Sequence, residues 1–121
     1  MHKYLVFGLL SLFLAGARAE GNAEAGKRAF AKCASCHYVG PQPRNIFGPY
    51  LTGVVGRKAG TAKDFRYSQA MRNSDVVWSE DKLKAFLRSP SEAVPGNAMR
   101  FWGIGDAREI DDIIAFLRAN S

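Results

Sequence analysis

Cys33, Cys36 and His37 fall within one six-residue stretch, CASCHY, and the two thiols are the only cysteines of the 121-residue chain. Several chemistries use cysteines at this spacing. A structural zinc site needs four ligands, usually with a second Cys/His pair elsewhere, and there is none here. A thioredoxin-like redox pair belongs beside alternating strands and helices, and no such strands are read in this chain. A disulfide across a two-residue gap closes too short a loop to add much stability. What remains is C-x-x-C-H, the c-type haem attachment signature. On a helical turn Cys33 and Cys36 are i and i+3, and His37 is i+4, so all three side chains project toward one side. Two thiols can then form thioethers with the haem vinyl groups while the imidazole reaches the iron.

The iron's other axial ligand must come from a short menu. His2 lies in an apparent leader, described below, which leaves His37 as the only histidine of the remaining chain and excludes a bis-histidine site. Two methionines remain, Met71 and Met99. Met71 falls in a short helical stretch among charges and reads as an adaptable core filler. Met99 is better placed: it follows Pro95-Gly96 in a loop, and Phe101 and Trp102 beside it are expected to exclude water. A lysine or a water molecule is the alternative distal group.

The chain around these residues has to position them. His2 and Lys3, an apolar run from Tyr4 to Ala15, and Ala17-Arg18-Ala19 read as a secretory signal, residues 1–19, cleaved after Ala19. The run is shorter than the roughly 20 residues of a spanning helix. Without that segment the chain keeps 15 basic and 11 acidic residues, mildly basic and scattered, which does not make the stripe that nucleic acid binding requires. Residues 20–121 are enough for one domain with a modest core, which a large flat apolar cofactor would complete. Asn22 caps a first helix that runs through Ala25 to Lys32 into the cysteine motif. Gly40 to Gly60 holds five glycines and three prolines and reads as a long loop wrapping a cofactor. Tyr67 to Asn73 reads as a short helix. Ser79 caps another, with Leu83, Phe86 and Leu87 on one face and Pro90 as its stop. Asp106, with Glu109 as a capping-box partner, opens the last, which carries Ile110, Ile113, Ile114 and Leu117 at helical spacing. The expected fold is all-α: three main helices, a short helix and long loops around one covalently bound haem.

The order of motifs resembles that of the small soluble class I cytochromes c, in the bacterial branch closest to mitochondrial cytochrome c. The likeness covers residues 20–121 and rests on GNAEAGKRAF, CASCH, IFGPYLTGVVGRKAG, DFRYSQAM, VVWSEDKLKAFLRSP, VPGNAMRFWGI and IDDIIAFLRA. It implies one haem c bonded to Cys33 and Cys36, with His37 and Met99 as axial ligands. It further implies that Pro49 accepts the second ring N–H of His37, that Arg57, Tyr67 and Trp78 bond a haem propionate, and that Gly26 and Phe30 meet the last helix near Ile113 and Phe116. Two departures stand out: Phe86 where relatives often have a tyrosine bonded to the methionine sulfur, and Met71 where they often have asparagine. Ser91, Glu92, Ala98, Gly105 and Asp106 replace lysines that ring the haem edge in strongly basic relatives, while Lys32 and Arg100 remain.

The resemblance implies a periplasmic one-electron carrier rather than an enzyme. It would be a monomer with transient redox protein partners, a membrane reductase on one side and an oxidase or other acceptor on the other, and with no small-molecule substrate or nucleic acid. A permanently bound haem subunit of an exported oxidoreductase is the alternative, ahead of a peroxidase-like catalyst or gas binder with Met99 off the iron.

Overall fold

The computed structural model describes residues 21–121; the expected signal segment and Glu20 lie outside the described residues. Five α-helices follow in order: α1 (Ala23–Ala29), continued by a 3-10 turn (Phe30–Lys32), α2 (Gln69–Arg72), α3 (Glu80–Arg88), α4 (Pro90–Ala93) and α5 (Ala107–Arg118). Among the described residues there is no strand, only one isolated antiparallel bridge between Lys58 and Val77. No described helix is long and apolar enough to cross a membrane.

Four of the five helices start where a short polar side chain satisfies an orphan N–H, α4 being the exception. Asn22 accepts from Ala25, Ser68 from Met71, Ser79 from Lys82 and Asp106 from Arg108. The short helix expected over Tyr67–Asn73 is therefore trimmed at its start by the Ser68 cap. Glu109 does not close a capping box. Its carboxylate takes Lys32 Nζ at 2.5 Å and ties the turn before Cys33 to α5. Pro90 ends α3 as expected but also opens α4, because a proline at the first helical position loses no hydrogen bond.

The core is built by α5 and the two helices on it. Ile110, Ile113, Ile114 and Leu117 are buried on one face of α5, against Phe30 from the turn after α1 and Leu83, Phe86 and Leu87 of α3. Burying each such side chain is worth about 1.5–3 kcal/mol. The α1–α5 contact is the closest approach. A Cβ on Gly26 would stand 1.9 Å from the Asp112 carbonyl oxygen, so only glycine lets the backbones meet, and the Phe30 and Phe116 rings stack beside it at 5.3 Å. Ion pairs Lys84–Asp111 and Arg118–Glu80 join α3 to α5 on the surface.

The glycine-rich loop is held by backbone bonds rather than by regular structure. Leu51 N–H donates to Tyr38 O, Gly53 to Asn120 O, Gly56 to Trp78 O, and Trp78 back to Arg57 O, all within 2.9 Å. The loop is thereby fastened to the segment after the cysteines, to the end of α5 and to the entry of α3.

Candidate functional site

The cysteine motif continues the helical path of the first helix. Cys33 N–H and Ala34 N–H both bond to Phe30 O, and Cys36 N–H and His37 N–H both bond to Cys33 O, at 2.8–3.1 Å. Two consecutive turns thus carry Cys33, Cys36 and His37 at the expected spacing. Cys33 is half-buried against the core and Cys36 is exposed. Burial pushes the Cys33 thiol above its ordinary pKa, with Glu109 and Cys36 adding and Lys32 opposing. A thiol shifted in this direction is less readily ionised and less nucleophilic than an ordinary one.

The loop after the motif fixes the imidazole. His37 Nδ1 lies 2.7 Å from Pro49 O. A carbonyl can only accept, so Nδ1 carries the proton and Nε2 keeps its lone pair. Gly48 lies flat on the ring: a Cβ there would be 2.5 Å from His37 Cε1. Gly48 N–H also donates to Cys36 O at 2.7 Å, which closes the loop back on the motif. Burial holds the His37 pKa below its ordinary value, assisted by the Arg57 cation and opposed by the Pro49 bond. The result is a neutral, oriented donor.

Three further predicted positions cluster beyond Pro49. Arg57 Nη2 donates to Tyr50 O at 2.8 Å, and its guanidinium lies 4.9 Å from the centre of the Tyr50 ring. Tyr67 Oη accepts Ala62 N–H at 2.9 Å, with the Phe65 ring edge-on at 4.8 Å. Burial raises the Tyr67 phenol, and the Ala62 bond and Arg57 oppose it. Trp78 is buried, edge-on to Phe86 at 4.9 Å, and its backbone is paired with Gly56 and Arg57. Arg57 is thus electrostatically felt by both His37 and Tyr67 and shares a backbone bond with Trp78.

Met99 packs, partly buried, against the core cluster, as Met71 also does. What positions Met99 escaped sequence reading. Asn97 Nδ2 donates to both Pro90 O and Val94 O at 2.9 Å, and its Oδ1 accepts Met99 N–H at 2.8 Å. This one side chain fastens the methionine loop onto α4; the signal for it was an asparagine two residues before the methionine, able to form an Asx-type turn. Beyond Met99, Phe101 packs on the core, but Trp102 is 99 % exposed and does not exclude water from the methionine as expected. Gly103 explains the difference. At φ +114° its backbone lies so close to α3 that an added Cβ would meet Arg88 O at 2.1 Å, and Ile104 N–H bonds Leu87 O at 2.8 Å; Phe101 and Ile104 pack on the core while Trp102 between them is exposed.

The donor set fits a haem. Two thiols and a lone-pair imidazole share one turn, with a glycine-lined bed under the imidazole. Among the described residues no three His, Cys, Asp or Glu side chains gather to hold a bare ion.

Comparison with known proteins agrees. The family model described as cytochrome c matches residues 23–121. Cytochrome c2 of Blastochloris viridis is 38% identical over 117 residues, 96% of this chain and 92% of that protein. Cytochrome c2 of Rhodoblastus acidophilus is 43% identical over 97 residues, 80% of this chain and 91% of that one. Among solved structures, cytochrome cH from Methylobacterium extorquens superposes with a TM-score of 0.78 at 44% identity, over 82% of this chain and 99% of its own. The chain belongs to the cytochrome c family, whose members hold haem c covalently and move electrons rather than transform a substrate.

Proposed function

We propose that this protein is a periplasmic one-electron carrier, exported by cleavage after Ala19, that meets its redox protein partners transiently and as a monomer. In this reading Cys33 and Cys36 would hold the haem covalently, and His37 Nε2 and the Met99 sulfur would be its iron ligands. Arg57, Tyr67 and Trp78 receive a propionate. The observation that carries the reading is the 2.7 Å bond from His37 Nδ1 to Pro49 O, which aims the free ring nitrogen from the same turn that bears both thiols.

Once bound, haem c supplies an iron that gains and loses one electron. The chain's residues supply the rest. Pro49 holds the imidazole tautomer and raises its basicity. Asn97 fixes the position of the thioether loop. Held by His37 and Met99, the haem would favour the reduced metal and would offer no open site to a small-molecule reactant. A guanidinium near the propionate lowers the cost of keeping that carboxylate ionised.

The test is a redox titration with optical spectra on matured holoprotein, with its mass determined. Low-spin spectra, a sulfur-to-iron charge-transfer band in the oxidised form and a polypeptide starting at Glu20 are expected. A five-coordinate iron, or a band that survives Met99→Ala, would refute the ligand set.

A further inference from the structure

A hollow of about 630 Å³ opens where the start of α1 meets α5, lined by Gly21, Asn22, Ala25, Arg108, Asp111 and Asp112. Its two sides are already bound to each other. Asn22 N–H donates to Asp112 Oδ1 at 2.8 Å. Gly21, at φ +78°, lies so close to α5 that a Cβ on it would stand 2.2 Å from Asp111 O. The backbone is thereby held on the helix up to Gly21, and the residue before it joins the chain at the hollow.

The charges around the hollow are incompletely matched. Asp111 pairs with Lys84 of α3 at 3.3 Å. Among the described residues, Arg108 is in no ion pair, and Asp112 has one oxygen bonded to Asn22 N–H but no cation as a partner. One positive and one negative group thus line the same hollow without an opposite charge. The mature chain proposed above begins at Glu20, one residue before Gly21, and that residue carries one charge of each sign. Its side-chain carboxylate is always there; its α-ammonium exists only after cleavage. Consecutive Cα atoms are about 3.8 Å apart, so both groups are within reach of the hollow.

We infer that this hollow is the seat of the processed N-terminus, with the Glu20 α-ammonium paired to Asp112 and the Glu20 carboxylate to Arg108, so that removal of the leader itself tightens the clasp between α1 and α5. The inference rests on the reading that the chain is cleaved after Ala19. In the uncleaved chain the same nitrogen is an uncharged amide, and Ala19 occupies the place of its protons. A positive charge just before α1 opposes the helix dipole, which favours anions at that end, and a carboxylate from α5 offsets it. Because α1 runs on into the turns that bear Cys33, Cys36 and His37, the contact tightened by processing is the one that seats the haem motif.

An NMR titration of matured, ferrous, carbon-13-labelled holoprotein tests this, with the mass of the chain determined first. Asp112, and Glu24 in the first turn of α1, hold the proton on the α-ammonium; Arg108 and Lys84 oppose them, and Asp111 offsets Lys84. Followed through the Glu20 Cα resonance, the α-ammonium is expected to titrate near about pH 9 instead of its ordinary value of about 7.7–8.0, about a tenfold gain in proton affinity. Asp112→Asn keeps an oxygen for Asn22 N–H and should return it to the ordinary value. The Glu20 carboxylate should titrate below its ordinary value of about 4.3 and return to it in Arg108→Gln. A folded value raised above the unfolded one gives stability that is complete below the unfolded value and lost as pH rises through the folded one. The urea midpoint of wild type should therefore fall toward that of Asp112→Asn between about pH 8 and pH 10. An α-ammonium with its ordinary titration in a chain that starts at Glu20, or a raised one that survives Asp112→Asn, would overturn the inference alone. A mass showing another first residue would overturn the cleavage reading and the inference together, so the two failures are told apart.

Discussion

Asn97→Ala is the most informative single perturbation of the methionine loop. The side chain makes three hydrogen bonds, two donated to the carbonyls of Pro90 and Val94 and one accepted from Met99 N–H, and it is half-buried. At about 1 kcal/mol each, their loss destabilises the closed loop by about 3 kcal/mol, on the order of a hundredfold in its opening equilibrium. Much of this should be local, because the loop can open while α1, α3 and α5 stay packed. The assay is the sulfur-to-iron absorption band followed through a urea titration, beside far-UV circular dichroism. In the variant the band should vanish at lower urea than in wild type, while the helical signal melts almost unchanged. Asn97→Asp sharpens the test. It keeps the acceptor for Met99 but turns a carboxylate oxygen toward two carbonyls, so the introduced acid is favoured in its protonated form. Its folded pKa lies above the unfolded value, so its loop is firmest at low pH and loosens as pH rises through that pKa. A band that survives to the same urea concentration in both variants would show that Asn97 does not hold the loop.

Gly26→Ala places a methyl 1.9 Å from Asp112 O, so α1 and α5 must separate; a loss of about 3 kcal/mol or more is expected, read as a fall of about 10–20 °C in melting temperature, and a near-normal melt would refute the close-packing argument. Phe86→Tyr adds a hydroxyl to a buried ring beside Trp78. If it donates to the Met99 sulfur, it weakens donation to ferric iron and raises the midpoint potential by about 40 mV, the equivalent of about 1 kcal/mol; an unchanged potential and band would refute the idea that Phe86 tunes the thioether. Glu80 has its pKa lowered, first by the Arg118 hydrogen bond. The pair's stabilisation is therefore present above the ordinary carboxylate pKa and lost as pH falls below it, and because both side chains are partly exposed it is at most about 1 kcal/mol. Urea melts of Glu80→Gln should match wild type near pH 3 and fall short of it at pH 7.

The residues with strong local chemistry were legible in the sequence. Cys33, Cys36 and His37 announce themselves by spacing, and α3 and α5 by apolar periodicity between a cap and a stop. The resemblance to cytochromes c brought Pro49, Arg57, Tyr67 and Trp78 forward, which no local spacing singles out. What escaped depended on contacts between distant segments. Glu109 had the right offset for a capping box, but Lys32, 77 residues away, offered an ion pair instead. Pro90 was a stop by local rule and became a start because its missing N–H costs nothing at a first turn. Trp102 looked like a lid for the methionine because aromatics are usually buried, but its orientation depends on how Gly103 and Ile104 meet the end of α3, a contact between distant segments. Asn97 was passed over because its three partners are backbone atoms, and its only local signal was an asparagine two residues before the methionine.

The clasp between the first and last helices also bears on biosynthesis. Asn22 N–H donates to Asp112 Oδ1 across 90 residues at 2.8 Å, and Gly26 has its seat only on α5. A ribosome must therefore release nearly the whole polypeptide before α1 has anything to lie on, since such distant pairings form late. Until α5 is present the first helix has no seat and the turn before Cys33 lacks its Lys32–Glu109 tie, so closure around the cysteine motif waits on the last helix.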